Sequence, residues 1–217
     1  MTDSAFHIAV FCKAPVAGNV KTRLIPEFGA ERAKNIYLQL AERTLSTARL
    51  ACEAYGASAS LWVADDIEDD SVQRWSRDNA FPIYQQIGVD LGARMLHCLL
   101  TMHGENERVL LIGTDCPAFN AEHLQRAAAK LSPECNWVFT PADDGGYVLV
   151  GSNAPRAEVF ANITWSTSEV MTQTRAALSQ ANLRWAELET LWDVDVAEDV
   201  LRAVRNSFLL EPFLNMG

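Results

Sequence analysis

Three cationic side chains lie close together near the start of the chain. Lys13, Lys21 and Arg23 belong to residues 13–23 (Lys-Ala-Pro-Val-Ala-Gly-Asn-Val-Lys-Thr-Arg), which follow an apolar run typical of a strand. Gly18 lets the backbone approach an anion, lysine supplies a point charge, and the planar guanidinium of arginine can form two parallel hydrogen bonds with a phosphate. The loop therefore predicts a phosphate-binding site. The alternative is an ordinary exposed basic loop.

Two common nucleotide-binding motifs are absent from this loop. A P-loop requires glycine directly before the lysine, in the pattern G-x-x-x-x-G-K-[ST]. Here Asn19 and Val20 separate Gly18 from Lys21. The glycine fingerprint of dinucleotide-binding proteins, G-x-G-x-x-G, is missing from this turn as well. The loop is thus a phosphate-binding candidate of another kind.

Aspartates elsewhere in the chain are candidate ligands for a divalent cation. Asp115 follows residues 108–112, the most hydrophobic of the strand candidates. A carboxylate there could hold Mg²⁺ or Mn²⁺ against a diphosphate, since hard cations prefer oxygen ligands. It could instead form an Asx turn with nearby backbone N–H groups. Asp193 and Asp195 precede the last helix and supply further candidate ligands, although Asp195 also fits a helix N-cap, with Glu198 completing a capping box.

Residues 143–147 (Asp-Asp-Gly-Gly-Tyr) form the third candidate part of a site. Their composition suits a tight turn, and that role alone would account for it. If the turn also belongs to a binding site, Asp144 could form a hydrogen bond with a hydroxyl of the ligand or act as a base, and Tyr147 could stack on a sugar or a nucleotide base. Cys116 has no histidine partner in the sequence pattern, so we do not predict a nucleophilic cysteine.

The elements that must position these groups alternate along the chain. We predict strands at 5–12, 58–64, 81–86, 108–112, 137–140, 147–150 and about 183–188. We predict helices from about 33, over 67–79, after Asp90, after Asn120, after a capping box at 166–169, and at the carboxyl end of the chain. This alternation indicates βαβ units and a mostly parallel sheet covered on both faces, in one domain spanning 1–217. Because ligands bind at the carboxyl ends of such strands, the loop at 13–23, the Asp115 turn and the turn at 143–146 should share one edge.

Composition limits the classes of partner. A net charge of -10 over 217 residues argues against nucleic-acid binding. The five cysteines form no C-x-x-C pair, which argues against a zinc ribbon or a disulfide framework. We recognise neither a signal peptide nor an apolar stretch of the ~20 residues that span a bilayer, and therefore expect a cytoplasmic protein without an integral membrane segment. The oligomeric state stays open, because the apolar run at 208–213 suits either a core or an interface.

Several stretches in order along the chain resemble a bacterial family known as DUF2064, a glycosyltransferase-like group of the nucleotide-diphospho-sugar transferase (GT-A) superfamily. They are residues 11–15 with Gly18, 21–24, 90–95, 113–117, 144–147, 164–167 and 193–195 with Glu198 and Asp199. Two departures are visible. Residues 113–116 hold a single aspartate where typical sugar transferases have D-x-D. The loop at 13–23 keeps only the late Arg-Leu of the nucleotidyltransferase loop.

The resemblance implies a Rossmann-like three-layer α/β/α sandwich that binds a nucleoside di- or triphosphate ligand with Mg²⁺ or Mn²⁺. By motif position it implies that Lys21 and Arg23 contact phosphates and that Asp115, with a second ligand in 193–195, holds the metal. We add Lys13, Pro15, Gly18, Thr22 and Arg94 as candidates for nucleotide and phosphate binding, keep Asp193 and Asp195 as candidate metal ligands, and take Gly145, Gly146, Tyr147 and Trp165 as candidates for substrate binding. Lys21, Arg23, Asp115 and Asp144 are the expected catalytic residues.

Three functions are consistent with this pattern. The first is a metal-dependent glycosyltransferase that takes a nucleotide sugar and a small-molecule acceptor. The second is a nucleotidyltransferase that joins a nucleoside triphosphate to a phosphorylated small molecule and releases pyrophosphate. The third is a nucleotide-binding regulator without turnover. The first two differ in their product, which is a nucleoside diphosphate for glycosyl transfer and pyrophosphate for nucleotidyl transfer.

Overall fold

The computed structural model describes residues 6–105 and 107–209, and these contain a seven-stranded sheet. The strands are β1 His7–Cys12, β2 Ser58–Val63, β3 Ile83–Gln85, β4 Val109–Gly113, β5 Trp137–Pro141, β6 Tyr147–Ser152 and β7 Trp185–Glu187. Their order across the sheet is β3-β2-β1-β4-β6-β5-β7. Strand β6 runs antiparallel to both neighbours, and every other pairing is parallel.

Seven α-helices connect the strands in the described residues. They are α1 Ile25–Phe28, α2 Ala30–Tyr55, α3 Asp70–Asn79, α4 Leu91–His103, α5 Ala121–Lys130, α6 Val170–Gln180 and α7 Ala197–Arg205. Two short 3-10 helices, Thr22–Leu24 and Ala157–Phe160, lie in the longer connections. None of the helices in the described part of the chain has the length and apolar character that a bilayer span requires.

The sheet separates two hydrophobic clusters, as expected for a three-layer α/β/α sandwich. In β1, Ile8 and Val10 belong to one cluster, whereas Ala9 and Phe11 belong to the other. Helices α2 and α5 contribute to the first cluster, and α4 and α6 to the second. Because successive side chains of a strand point to opposite faces, this alternation shows that β1 is covered on both sides. The predicted fold class, a Rossmann-like sandwich with a mostly parallel sheet, is confirmed.

The antiparallel direction of β6 is the feature that the alternation of strands and helices did not predict. Strands β5 and β6 follow each other with only residues 142–146 between them, and they pair as a hairpin. A parallel pair would need a crossover connection of about a dozen residues or more. The short connection therefore reverses the chain, and it places the turn at 143–146 on the same edge as the carboxyl end of β4.

The helix ends correct two local predictions. Asp90 and Asn120 cap α4 and α5, as predicted, each accepting a backbone hydrogen bond at 2.8 Å. The prediction of a capping box at 166–169 is wrong, because α6 begins at Val170 without a side-chain cap. The capping box of Asp195 with Glu198 is also wrong.

At the start of α7 the capping side chain is that of Asp199, which accepts from the backbone N–H groups of Asp195 and Val196 at 3.0 Å. Asp195 is thereby left to bond elsewhere. The first residue of the strand predicted at 5–12, and most of the apolar run at 208–213, lie outside the described residues. Phe208, which is described, packs its ring against Trp192.

Candidate active site

A cavity of about 880 Å³ opens at the carboxyl ends of the parallel strands. Twelve of the predicted site residues line it, and these are Lys13, Lys21, Thr22, Arg23, Arg94, Asp115, Asp144, Gly146, Tyr147, Trp165, Asp193 and Asp195. Pro15, Gly18 and Gly145 do not line it. The edge rule for parallel sheets thus brings the loop at 13–23, the Asp115 turn and the turn at 143–146 to one cavity.

The three predicted site residues outside the cavity lining lie in its supporting backbone. Pro15 is buried, and Gly18 takes a left-handed conformation with φ +88°. Gly145 also has a positive φ, +91°, and a Cβ there would lie 2.1 Å from the backbone oxygen of Ser168. The turn at 143–146 therefore packs directly on the segment that follows Trp165.

The first turn of the 13–23 loop is held by protein groups. The Lys13 backbone N–H donates to the Tyr37 hydroxyl at 2.8 Å, and that hydroxyl donates back to the Lys13 carbonyl at 3.0 Å. The Ala14 N–H donates to Asp65 Oδ1 at 2.7 Å. These bonds fix the loop where it leaves β1, and the Lys13 residue lies exposed at the cavity.

The Lys21 ammonium lies inside a group of protein oxygens. Its Nζ is 2.6 Å from the Val194 carbonyl oxygen, 2.8 Å from Asp115 Oδ1 and 3.2 Å from Asp195 Oδ1. Its side chain is only 5% exposed. Burial alone would lower the pKa of this ammonium, but Asp115 and Asp195 raise it above its ordinary value. Lys21 is therefore charged and bonded to protein in this arrangement.

Arg23 differs from Lys21 in exposure. One guanidinium nitrogen, Nη1, lies 3.0 Å from Asp195 Oδ2, while 65% of the side chain is exposed. Asp195 thus uses one oxygen for Lys21 and the other for Arg23. The fork of Arg23 has further N–H donors that can face a ligand in the cavity.

Asp193 lies among carboxylates and carries a perturbed pKa. Burial, together with the negative charges of Asp144, Asp195 and Asp115, raises the pKa of the Asp193 carboxyl to about 6. The Coulomb effect of these three aspartates shows that the acidic side chains from three separate segments converge at this side of the cavity.

The predicted metal ligands do not fit a divalent cation as they are arranged. Within residues 6–105 and 107–209, no three His, Cys, Asp or Glu side chains are placed so as to hold one metal ion. The space between Asp115 and Asp195 contains the Lys21 ammonium. Asp115 Oδ1 is buried without a hydrogen-bond partner, so this oxygen forms none of the bonds of an Asx turn.

A further part of the cavity wall is built from the turn at 143–146, Tyr147 and residues 165–168. Asp144 Oδ1 accepts from the Gly146 N–H at 2.9 Å, so the tight-turn role is present and the other carboxylate oxygen stays available. The Tyr147 ring packs edge-on against Phe139, with centroids 5.2 Å apart. Burial raises the pKa of the Tyr147 hydroxyl above its usual range, so it stays protonated.

Trp165 contributes a partly exposed indole to this side. A Cβ at Gly92, near the start of α4, would lie 2.5 Å from the indole Cζ2. The indole also contacts Phe160, with centroids 6.4 Å apart. Next to it in α4, the Arg94 Nε donates to the Gly88 carbonyl at 3.2 Å. Arg94 thus reaches the cavity from α4, and Trp165 reaches it from the segment that packs against α4.

Gln86 and Tyr37 are among the residues that border the same cavity and that sequence reasoning missed. Gln86 follows β3, and its Nε2 donates to the carbonyls of Trp62 at 2.8 Å and Cys12 at 3.4 Å. Tyr37 comes from α2. Gln86 could have been predicted as the other segments were, because it follows a strand and therefore lies at the edge of the sheet where ligands bind. Tyr37 has no such signal, because its spacing in α2 fits the apolar stripe of a helix.

Comparison with known proteins places the chain among transferase structures. Residues 47–167 match the family described as "Uncharacterized protein conserved in bacteria (DUF2064)". A structure from Desulfovibrio desulfuricans G20, provisionally assigned as a nucleotide-diphospho-sugar transferase, is 26% identical with a TM-score of 0.82, covering 99% of this chain and 92% of that one. No curated protein matches the chain.

Two more distant structures share the fold. A cytidylyltransferase from Leptospira borgpetersenii is 12% identical with a TM-score of 0.60, covering 97% of this chain and 89% of that one. Glucosyl-3-phosphoglycerate synthase from Mycobacterium tuberculosis, in a complex with Mn²⁺, UDP and its product, is 9% identical with a TM-score of 0.52. The alignment covers 94% of this chain and 77% of the synthase. The fold is therefore shared by glycosyltransferases and nucleotidyltransferases.

Proposed function

Since the chain belongs to the DUF2064 family, in a fold that transferases of nucleotides and nucleotide sugars share, we propose that it is a glycosyltransferase with a nucleotide-diphospho-sugar donor. The observation that supports this choice is the distribution of charge in the cavity. Three of the four lysine and arginine side chains that line it, Lys13, Lys21 and Arg23, come from the 13–23 loop, and the fourth, Arg94, comes from α4 next to Trp165. Residues 143–147, which contain Asp144 and Tyr147, contribute none.

This distribution favours one phosphorylated substrate over two. A diphosphate would bind on the cationic side, where Lys13 and Arg23 are exposed and can donate to its oxygens. The wall formed by residues 143–147 and 165–168 offers hydroxyls, a carboxylate and aromatic rings, which suit an acceptor without a phosphate group. A nucleotidyltransferase of the kind considered above would need cations for a second phosphorylated substrate.

The proposed chemistry uses residues of this chain in distinct roles. In glycosyl transfer, the bond between the sugar carbon and the diphosphate oxygen breaks, and a bond from that carbon to an acceptor oxygen forms. Arg23, with its planar fork, stabilises the negative charge that develops on the leaving nucleoside diphosphate. Asp144, through the oxygen not bonded to Gly146, accepts the proton of the acceptor hydroxyl.

Product analysis tests the proposal. The purified protein is incubated with a panel of nucleotide sugars and neutral acceptors such as simple alcohols and sugars, and separately with nucleoside triphosphates and sugar phosphates. We expect release of a nucleoside diphosphate in the first set. Release of pyrophosphate in the second set would establish nucleotidyl transfer instead.

A thermal-shift measurement separates an enzyme from a regulator. A nucleotide sugar at 100 times its dissociation constant should stabilise the protein by about 2.7 kcal/mol, which is visible as a shift in Tm. We expect this shift together with turnover. Nucleotide-dependent stabilisation with no turnover of any donor would support a binding protein without catalysis.

A further inference from the structure

The Lys21 ammonium contacts three protein oxygens. It donates to the Val194 carbonyl at 2.6 Å and to Asp195 Oδ1 at 3.2 Å, and it forms an ion pair with Asp115 Oδ1 at 2.8 Å, a buried oxygen that has no hydrogen-bond partner of its own. The side chain is 5% exposed, whereas Lys13, which borders the same cavity, is exposed. The charge of Lys21 is therefore paired with two carboxylates of the protein without any ligand.

The oxygens around Lys21 are held in place by contacts of their own. The Val194 N–H donates to the Asp115 carbonyl at 3.0 Å, which fixes the backbone of residues 193–195 beside the Asp115 turn. The second oxygen of Asp195 is bonded to Arg23. The two carboxylates consequently point at one position, and a positive charge is required there because they would otherwise repel each other.

The backbone of Lys21 is adapted to this position. Its φ and ψ are 47° and 44°, a left-handed conformation that residues with a Cβ seldom adopt. This conformation directs the residue into the cage just before the 3-10 turn Thr22–Leu24, whose Leu24 N–H donates to the Lys21 carbonyl at 2.9 Å. The strain indicates that the contacts of the ammonium hold the residue where it lies.

A divalent cation cannot share these oxygens with the ammonium. Mg²⁺ binds carboxylate oxygens at about 2.1 Å, and it would lie within the contact distance of an ammonium bonded to the same atoms. We propose that Lys21 is a built-in counter-ion for Asp115 and Asp195, and that a divalent cation binds this pair only in competition with Lys21. This competition is a property of the protein alone and holds whichever group the site transfers.

Calorimetric titration with Mn²⁺ alone tests the competition. We compare the unmodified protein with Lys21→Met, and we use Lys13→Met as the matched control because it removes one positive charge from the same cavity without touching the cage. We expect Lys21→Met to bind Mn²⁺ at least 10-fold more tightly than Lys13→Met does. Equal or weaker binding by Lys21→Met would overturn the proposal, as would the absence of Mn²⁺ binding from every form.

A second measurement uses the unmodified protein. It therefore does not depend on whether Lys21→Met folds once Asp115 and Asp195 have lost the ammonium between them. Lysines are acetylated briefly, and the rate at each site is read by mass spectrometry. Without metal, Lys21 should react at least 10-fold more slowly than Lys13. When Mn²⁺ saturates the protein, the rate at Lys21 should rise while the rate at Lys13 stays the same. Bound Mn²⁺ with an unchanged rate at Lys21 would show that the cation binds elsewhere and would overturn the proposal.

Discussion

Gly92 and Trp165 are packed so closely that no side chain fits between them. A Cβ on Gly92 would lie 2.5 Å from the indole Cζ2 and 3.1 Å from the indole Nε1. The glycine is thus required by the approach of the ring, and not by its own backbone, which is helical. The position of the indole in the cavity depends on this one missing methyl group.

We expect Gly92→Ala to displace Trp165 and to impair the acceptor side selectively. The added Cβ must push the ring aside, which should cost about 1–3 kcal/mol in the free energy of unfolding. Under the proposed function, KM for the acceptor should rise while the affinity for the nucleotide sugar changes little. Urea unfolding and steady-state kinetics measure these quantities.

Gly104→Ala is the matched control for that variant. A Cβ there would meet only the Thr101 carbonyl oxygen, at an ordinary 3.5 Å. Since alanine is the better helix former, we expect unchanged or slightly increased stability. If Gly92→Ala behaves like Gly104→Ala in both assays, the indole does not hold the acceptor.

Arg23→Ala should weaken donor binding and leave the fold intact. The side chain is 65% exposed, so its single ion pair with Asp195 adds little to stability. The loss of a planar, charged donor to the diphosphate should raise the Kd for a nucleotide sugar by about 10- to 100-fold. Calorimetry measures this Kd. Arg49→Ala, which removes a comparable exposed ion pair on α2, should leave the Kd unchanged.

Asp144→Asn should reduce kcat by about 10²- to 10⁴-fold, the usual contribution of a general base. Donor binding should persist, since the amide oxygen can still accept from the Gly146 N–H. Asp143→Asn is the control, because that neighbouring carboxylate pairs with Arg202 at the exposed surface. Equal activity of the two variants would remove Asp144 from the mechanism.

Asp193→Asn should make the protein more stable at neutral and alkaline pH. The pKa of Asp193 rises from 3.8 to about 6 on folding, so the folded state holds its proton more tightly than the unfolded chain does. Its stabilising contribution is therefore complete below pH 3.8 and is lost as the pH rises through about 6. Asparagine is neutral throughout. We expect a gain of about 1–2 kcal/mol at pH 8 that vanishes near pH 4, given that the carboxyl is only partly buried.

Urea unfolding at several pH values measures the gain. Asp78→Asn, on the exposed surface of α3, provides the comparison. A gain at Asp193 that does not depend on pH, or that equals the gain at Asp78, would contradict the raised pKa.

The sequence predicts the sheet and the edge of the sheet that carries the cavity. Each parallel strand is a short apolar run followed by polar residues or glycine, and the carboxyl ends of such strands meet at one edge whatever their order. The sequence alone therefore groups the loop at 13–23, Asp115 and the turn at 143–146. The antiparallel direction of β6 follows from the shortness of the connection at 142–146, which the alternation of strands and helices does not take into account.

The pairing of Lys21 could not be predicted in the same way. It joins Asp115 and Asp195, which lie 94 and 174 residues further along the chain. A basic loop in a sequence is consistent with phosphate binding and equally with pairing to carboxylates, since an ammonium group suits both. The distances from Lys21 to the carboxylates distinguish the two roles, and those distances depend on how the segments pack in the folded protein. The sequence likewise does not reveal that Asp199, and not Asp195, caps α7.

The reversed strand β6 also makes the position of Trp165 depend on a long connection. Because β6 ends at the edge far from the cavity, residues 153–164 must return over about 20 Å before Trp165 reaches it. We expect a change in the length of that stretch to move the indole and to leave the 13–23 loop, with its own strand, in place.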